Sequence, residues 1–321
     1  MTKPRVLITR RWPEAAQKAV AEAFDVTLNE TDTAMTPQQL AEALRSFDAV
    51  APTVSDRITA DMFAGVKAKI VSNYGVGYTN IDVNAAKAAG VVVTNTPGVL
   101  TDCTADLAMA LMLSAARRVG EGEREVRAGA WTGWRPTHMI GAKVTGATLG
   151  VVGFGRIGQA VAKRAHHGFG MKVIYFDAYP IPAEVAGAVG AEKRDSVEAV
   201  LAEADFVSLH TTGGAENRHL INAARLKTMK PNAILVNTAR GECVDEAALA
   251  AALKAGTIAG AGLDVFEEEP KIHPDLLACE NAVLAPHLGS ATMSTRVAMG
   301  MTALANLTAF FAGREPPNRV A

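Results

Sequence analysis

Cysteine is scarce in this chain. Cys103, Cys243 and Cys279 show no metal-ligand spacing and form no disulfide framework. They read as reduced thiols in a cytoplasmic protein, and no metal is expected. Aromatic residues make up only 5% against 49% hydrophobic residues, and alanine is abundant. That balance suits helix–sheet contacts built from small side chains. Charge of either sign is also lacking in excess: the net charge is −1, so neither nucleic acid nor an anionic membrane is an expected partner. Long apolar runs are missing. The most apolar helix-like stretch, Leu107–Ala116, is far too short to span a bilayer. Met1-Thr2-Lys3-Pro4-Arg5 carries no export leader pattern. At 321 residues the chain suits about two domains.

What is present centres on Gly153-Phe154-Gly155-Arg156-Ile157-Gly158. The apolar run Thr148–Val152 before it reads as a buried parallel strand, and Arg156–Phe169 after it has helical spacing. A G-x-G-x-x-G between strand and helix is a dinucleotide fingerprint. Gly153 permits the turn, Gly155 lets backbone approach a pyrophosphate, and Gly158 lets the helix pack on the strand. The phosphates then lie at the helix N-terminus. A second apolar run, Lys172–Phe176, ends on Asp177, about 20 residues on, where an acid can accept from a ribose 2′-OH. A carboxylate there would repel a 2′-phosphate. The next residues, Ala178-Tyr179-Pro180-Ile181-Pro182, hold no arginine or lysine to accommodate one. NAD(H) is therefore expected over NADP(H).

The fold class expected is α/β, with two Rossmann-like domains of parallel sheet. Five strands alternate with helices up to Thr94, with Thr36 as a helix N-cap and short helices at 59–65 and 82–89. Asn95-Thr96-Pro97-Gly98 breaks the pattern. A long helix is predicted over 101–129, then six strands at 148–153, 172–177, 205–210, 233–238, 260–266 and 282–285. A final helix, 291–311, should return to the first domain. The expected division is 1–98 with 288–321 as a flavodoxin-like substrate-binding domain, and 99–287 as an inserted, doubly wound dinucleotide-binding domain.

Ligands of open parallel sheets bind beyond the strands' C-terminal ends. Three strands end in Arg240, in Glu267-Glu268-Glu269, and in His287. Singly, these read as a surface cation, a solvated acidic run and a loop histidine. Jointly they match what hydride transfer to a 2-keto acid requires. A guanidinium fixes the substrate carboxylate. A histidine protonates the carbonyl oxygen. A glutamate on the far ring nitrogen favours the imidazolium. His166, His167 and His219 read as surface groups or polar helix ends, and His210 as a strand-end residue near the cofactor.

The chain resembles the D-isomer-specific 2-hydroxyacid dehydrogenases over almost its whole length. The resemblance rests on residues 72–82 (Ser-Asn-Tyr-Gly-Val-Gly-Tyr-Thr-Asn-Ile-Asp), 94–101 (Thr-Asn-Thr-Pro-Gly-Val-Leu-Thr), the fingerprint with Gln159, and 235–241 (Leu-Val-Asn-Thr-Ala-Arg-Gly). Residues 262–266 (Gly-Leu-Asp-Val-Phe) and 285–290 (Ala-Pro-His-Leu-Gly-Ser) complete it. It implies Arg240 on the substrate carboxylate and carbonyl, His287 as acid/base paired with Glu269, and Asp264 near the nicotinamide carboxamide. The implied cofactor set is Thr104, Gly153, Phe154, Gly155, Arg156, Ile157, Gly158, Asp177, His210, Thr238, Ala239, Arg240, Asp264 and His287. The implied substrate set is Val54, the N–H groups of Val76 and Gly77, Arg240, His287 and Trp134. The resemblance further implies a cleft that closes between the domains, and a homodimer. Within the family, residues 73–78 and 129–136 look like the glyoxylate/hydroxypyruvate reductases, where a tryptophan matching Trp134 reaches across the dimer. D-lactate or phosphoglycerate specificity is the alternative, although residues 70–82 hold no basic group for a phosphate. A dinucleotide-sensing binding protein is a further alternative, one that would not need the Arg240, Glu269 and His287 set. One segment departs from the family pattern: Thr211-Thr212-Gly213-Gly214 stands where a Pro-Leu-Thr turn is usual.

Overall fold

The computed structural model describes residues 2–321, so Met1 of the Met1–Arg5 stretch lies outside the described residues. The chain divides into two compact units. One runs up to Leu100 and takes in Ser290–Ala321; the other is Thr101–Gly289. Among the described residues no helix is long and apolar enough to cross a membrane.

The first unit is built on five strands, Arg5–Ile8 (β1), Asp25–Leu28 (β2), Ala49–Ala51 (β3), Ile70–Ser72 (β4) and Val92–Thr94 (β5). They form a parallel sheet in the order β2-β1-β3-β4-β5, the flavodoxin-like arrangement. Alternation along β1 explains why both faces are covered. Val6 and Ile8 pack with Trp12, Val20, Met299 and Leu307, while Leu7 packs on the other face with Leu40, Leu44 and Ile58. Helix Pro37–Ser46 opens with a capping box: Thr36 Oγ1 accepts from Gln39 N at 3.2 Å, and Gln39 Oε1 accepts from Thr36 N at 2.8 Å. The helix Met293–Phe311 belongs to this unit and buries Met299, Ala303 and Leu307. The helix expected over 59–65 is only a 3₁₀ turn, Ala60–Phe63.

The second unit contains Thr148–Val152 (β6), Lys172–Phe176 (β7), Glu192–Lys193 (β8), Phe206–Leu209 (β9), Ile234–Asn237 (β10), Gly260–Leu263 (β11) and Ala282–Leu284 (β12). The parallel order is β12-β11-β10-β9-β6-β7-β8. Strand order reverses between β6 and β9, which makes that point the crevice for a ligand. Seven strands replace the six expected. The extra strand, β8, is two charged, exposed residues at the sheet edge, so no apolar run announces it.

The long helix expected over 101–129 is broken into Thr101–Ala116 and Val119–Arg127. Arg118 between them sits at φ +53°, its guanidinium on Glu121 at 2.6 and 3.1 Å. The two halves live in different surroundings. The first buries Ala105, Ala108, Leu111 and Met112, and the second buries nothing. At the break the Ala116 carbonyl turns to accept from Ala142 N at 2.8 Å.

Candidate active site

In the second unit the fingerprint turn leaves β6 and enters the helix Arg156–Phe169. Gly153 has φ +90°, a value that favours glycine. A Cβ on Gly158 would stand 2.2 Å from the Gly153 carbonyl oxygen, so helix and turn touch through that missing side chain. Gly155 is different: a Cβ there would meet nothing within 4 Å. It caps the helix, whose first N–H groups have no intrahelical acceptor. This is an open cradle of the shape a pyrophosphate fills. Asp177 ends the neighbouring strand. Its Oδ2 accepts from Phe154 N at 2.6 Å and its Oδ1 from Tyr179 N at 2.8 Å. Two backbone bonds thus aim a carboxylate beside the glycine turn. At the ends of β9 and β10, His210 Nδ1 and Thr238 Oγ1 are buried and have no partner. Buried polar atoms left in this state cost free energy unless something completes them. The cradle, the aimed carboxylate and these two atoms fit a dinucleotide.

The remaining residues lie on the next three strand ends. Beyond β10, Asn237 folds the chain back: its Oδ1 accepts from Ala239 N at 3.0 Å and its Nδ2 donates to the Arg240 carbonyl at 2.9 Å. Arg240 Nη1 donates to the Ala239 carbonyl at 2.6 Å, and the guanidinium has no ion pair among the described residues. Burial pushes it below its usual value without removing its charge. An unpaired, half-buried guanidinium invites a carboxylate.

Beyond β11, Asp264 is only 1% exposed, and its two oxygens accept from Leu288 N at 2.6 Å and Gly289 N at 2.8 Å. Burial raises its carboxyl; the two N–H donors act against that. Asp264 therefore pins the loop after β12, and Thr104 helps by donating to the Gly289 carbonyl at 2.9 Å. Both hydrogen-bonding side chains are committed to this loop. The loop carries His287, held at φ +54°. His287 Nδ1 lies 2.7 Å from Glu269 Oε2, and Glu269 Oε1 accepts from Phe266 N at 3.1 Å. Burial alone would raise the Glu269 carboxyl. The His287 hydrogen bond and charge, with the Phe266 N–H and the Arg240 charge, hold it below its usual value, so it is ionised at neutral pH. Both side chains remain 36% exposed, open to a substrate.

His210 is excluded as a competing acid. Burial pulls its pKa down to about 3, and its Nε2 is shared with Ser208 Oγ at 2.8 Å. His219, expected as a surface group or a polar helix end, is half-buried and partnered. Its Nε2 sits 2.6 Å from Glu267 Oε1, so Glu267 is no solvated member of an acidic run. The departing loop also has a physical account. Glu242 Oε1 accepts from Gly214 N at 2.6 Å, and a Cβ on Gly213 would lie 2.4 Å from the same oxygen. The Glu242 carboxylate occupies the space a side chain at 213 would take.

In the first unit, the turn after β4 leaves two backbone N–H groups without a partner among the described residues. The Gly75 carbonyl accepts from Thr96 N at 3.0 Å and the Val76 carbonyl from Asn95 Nδ2 at 2.8 Å. Because trans peptides are planar, the N–H groups of Val76 and Gly77 point the opposite way. Neither finds an acceptor among the described residues. Val54, also expected at the substrate, is half-buried beside this turn. Trp131 is 54% and Trp134 82% exposed. Sequence reasoning gave no role to Asn95 or Asn237. Each acts by holding backbone, a role that residue type and spacing do not reveal.

A family model described as the NAD binding domain of D-isomer specific 2-hydroxyacid dehydrogenases matches residues 109–289. A protein named glyoxylate reductase from Thermococcus litoralis is 49% identical over 323 residues, covering 99% of this chain and 97% of that protein. A solved structure from Thermus thermophilus superposes with TM-score 0.90 at 44% identity, covering 99% of this chain and 100% of that one. The NADPH-dependent glyoxylate/hydroxypyruvate reductase of Sinorhizobium meliloti, solved with NADP and malonate, gives TM-score 0.88 at 34% identity. That match covers 100% of this chain and 97% of the other.

Proposed function

Because this chain belongs to the D-isomer specific 2-hydroxyacid dehydrogenase family, we propose that it reduces glyoxylate or hydroxypyruvate to the 2-hydroxy acid with NADH. The observation that carries the chemistry is the 2.7 Å contact of His287 with Glu269 on the strand end next to an unpaired Arg240. Arg240 takes the substrate carboxylate in a fork of two hydrogen bonds. The dinucleotide, when bound, supplies the hydride. His287 has Nδ1 committed to Glu269, which leaves Nε2 to give its proton to the carbonyl oxygen as charge develops there. Glu269 stabilises the charged ring beforehand and keeps Nδ1 protonated afterwards.

The choice of NADH rests on Asp177. Its carboxylate is fixed by two backbone N–H groups, and no base follows it within Ala178–Pro182. A homodimer is part of the same reading. Val119, Val126, Trp131, Trp134 and Ile140 leave apolar surface exposed along one stretch of chain, the kind of surface a second copy covers. A panel of glyoxylate, hydroxypyruvate and pyruvate, followed by NADH oxidation, tests the function. Turnover with the first two is expected. NADH binding with no turnover of any keto acid would favour a dinucleotide-sensing binding protein instead.

A further inference from the structure

Glu246 opens the helix Glu246–Lys254, directly after its N-cap Asp245. An acid in a first helical turn is usually solvated and gains modestly from the helix dipole. Here it is only 5% exposed. A carboxylate removed from water is tolerated where donors saturate it. Both donors come from the single segment between β11 and the helix Pro274–Leu277. Oε1 accepts from Glu267 N at 2.6 Å and Oε2 from His273 N at 2.9 Å. Glu267 returns the contact through its Oε2, which accepts from Glu246 N at 3.5 Å. One buried side chain thus grips both ends of residues 267–273.

Glu269 stands inside that gripped segment. Its carboxylate is held by Phe266 N at 3.1 Å and by His287 at 2.7 Å. We propose that Glu246 is a positioning residue for the acid/base pair: by clasping 267 and 273 it fixes where the Glu269 carboxylate meets His287. The proposal rests on the functional reading above and adds a residue that touches neither substrate nor cofactor. Effective catalysis is sensitive to such placement, since a shift of about 1 Å can cost about 10²-fold in rate.

Several charged groups face the clasp. Glu267 Oε1 meets His219 Nε2 at 2.6 Å and Arg218 at 3.2 Å. Asp245 Oδ2 is 3.9 Å from His219 Nδ1, and the His219 N–H bonds the Glu242 carbonyl at 2.7 Å. Glu268 pairs with Lys271 through backbone. His273 Nδ1 accepts from Asp275 N at 3.3 Å, which turns that ring toward its own helix. None of these contacts reaches the Glu269 carboxylate, so the effect of Glu246 must run through the backbone of the segment.

The test replaces Glu246 with glutamine, which cannot accept at both positions with full charge. Activity of the wild-type holoenzyme with glyoxylate and NADH is measured first. For E246Q, kcat is expected to fall about 10- to 100-fold with the KM for NADH little changed. The alkaline limb of its pH profile should move to lower pH, because a misplaced Glu269 favours the imidazolium less. Titration of ¹³C-labelled histidine followed by NMR should show the His287 midpoint lower than in wild type. E246D keeps the charge on a shorter arm and should lie between the two; it carries the test if E246Q does not fold. A folded variant of reduced thermal stability with wild-type pH profile and wild-type His287 titration overturns the proposal. Should wild type reduce no keto acid, the functional reading fails, and the NMR titration still judges the clasp.

Discussion

A non-glycine residue with positive φ needs a reason, and His287 at +54° is held there by Asp264 and by Glu269. The strain is local and its yield is an imidazole whose Nε2 is free. His287→Ala should lower keto-acid reduction by about 10²–10⁴-fold while NADH binding stays near wild type. A variant with near wild-type turnover would remove His287 from the chemistry. Glu269→Gln should keep the ring in place but withdraw the charge that favours its protonated form. Reduction needs that form, so the alkaline loss of activity should begin at lower pH; an unchanged pH profile of kcat/KM would count against the pair. These residues were legible because parallel strands must deliver ligand-facing groups at their C-terminal ends. The residues that steady them were not. Glu246 in Asp-Glu-Ala-Ala reads as an ordinary first-turn acid, and only the packing of a distant segment buries it.

At the scale of elements, the fingerprint glycines separate into two kinds. Gly158→Ala would drive a methyl into the Gly153 carbonyl at 2.2 Å, and a loss of about 1–3 kcal/mol of stability is expected. Gly155→Ala meets no protein atom and its φ of −72° suits alanine, so the melting temperature should hold. The affinity for NADH should fall, because the methyl enters the cradle. Thermal melts and NADH titrations of the two variants should therefore give opposite patterns, and a shared loss of stability would defeat the distinction. Asp177 makes a claim of similar kind: kcat/KM should be clearly higher with NADH than with NADPH, and equal values would sink it. Most helices and strands were readable from apolar periodicity. Edge strand β8 and the break at Arg118 were not. Edge strand β8 carries Glu192 and Lys193, with no buried side chain to mark it. The break at Arg118 arises from Ala142 bonding the Ala116 carbonyl, a contact between segments that local pattern does not encode.

For the whole molecule, the exposed Trp134 is the sharpest question. In a homodimer with Trp134 reaching its partner's site, Trp134→Ala should widen acceptance toward larger 2-keto acids. Trp131→Ala should chiefly lower stability. A mixed dimer decides the route. One subunit carries Trp134→Ala and the other Arg240→Ala. Only the first keeps Arg240, and it faces a partner with an intact Trp134. Wild-type selectivity is expected if the ring acts across the dimer; the widened selectivity of the homodimeric variant would place it within its own subunit.

The first unit is closed by residues that arrive late. Val320 N donates to the Val93 carbonyl at 2.7 Å, Val93 N donates to the Ala321 carbonyl at 2.9 Å, and the helix Met293–Phe311 supplies Met299, Ala303 and Leu307 to one face of the core. A ribosome makes chain in one direction, so the order of completion is inverted relative to the order of synthesis. Thr101–Gly289 is contiguous and can reach its native contacts while translation continues. The unit begun first must wait with one side of β1, β3 and β4 only partly covered until Ser290 onward emerges. During that interval Val6, Ile8, Ala49 and Ile70 share their face with Trp12, Val20 and Phe24 but lack Met299, Ala303 and Leu307, and newly made chains are most exposed to aggregation and to chaperones there. In a stalled-translation series, protease resistance should appear in the inserted unit before it appears in the unit that encloses it.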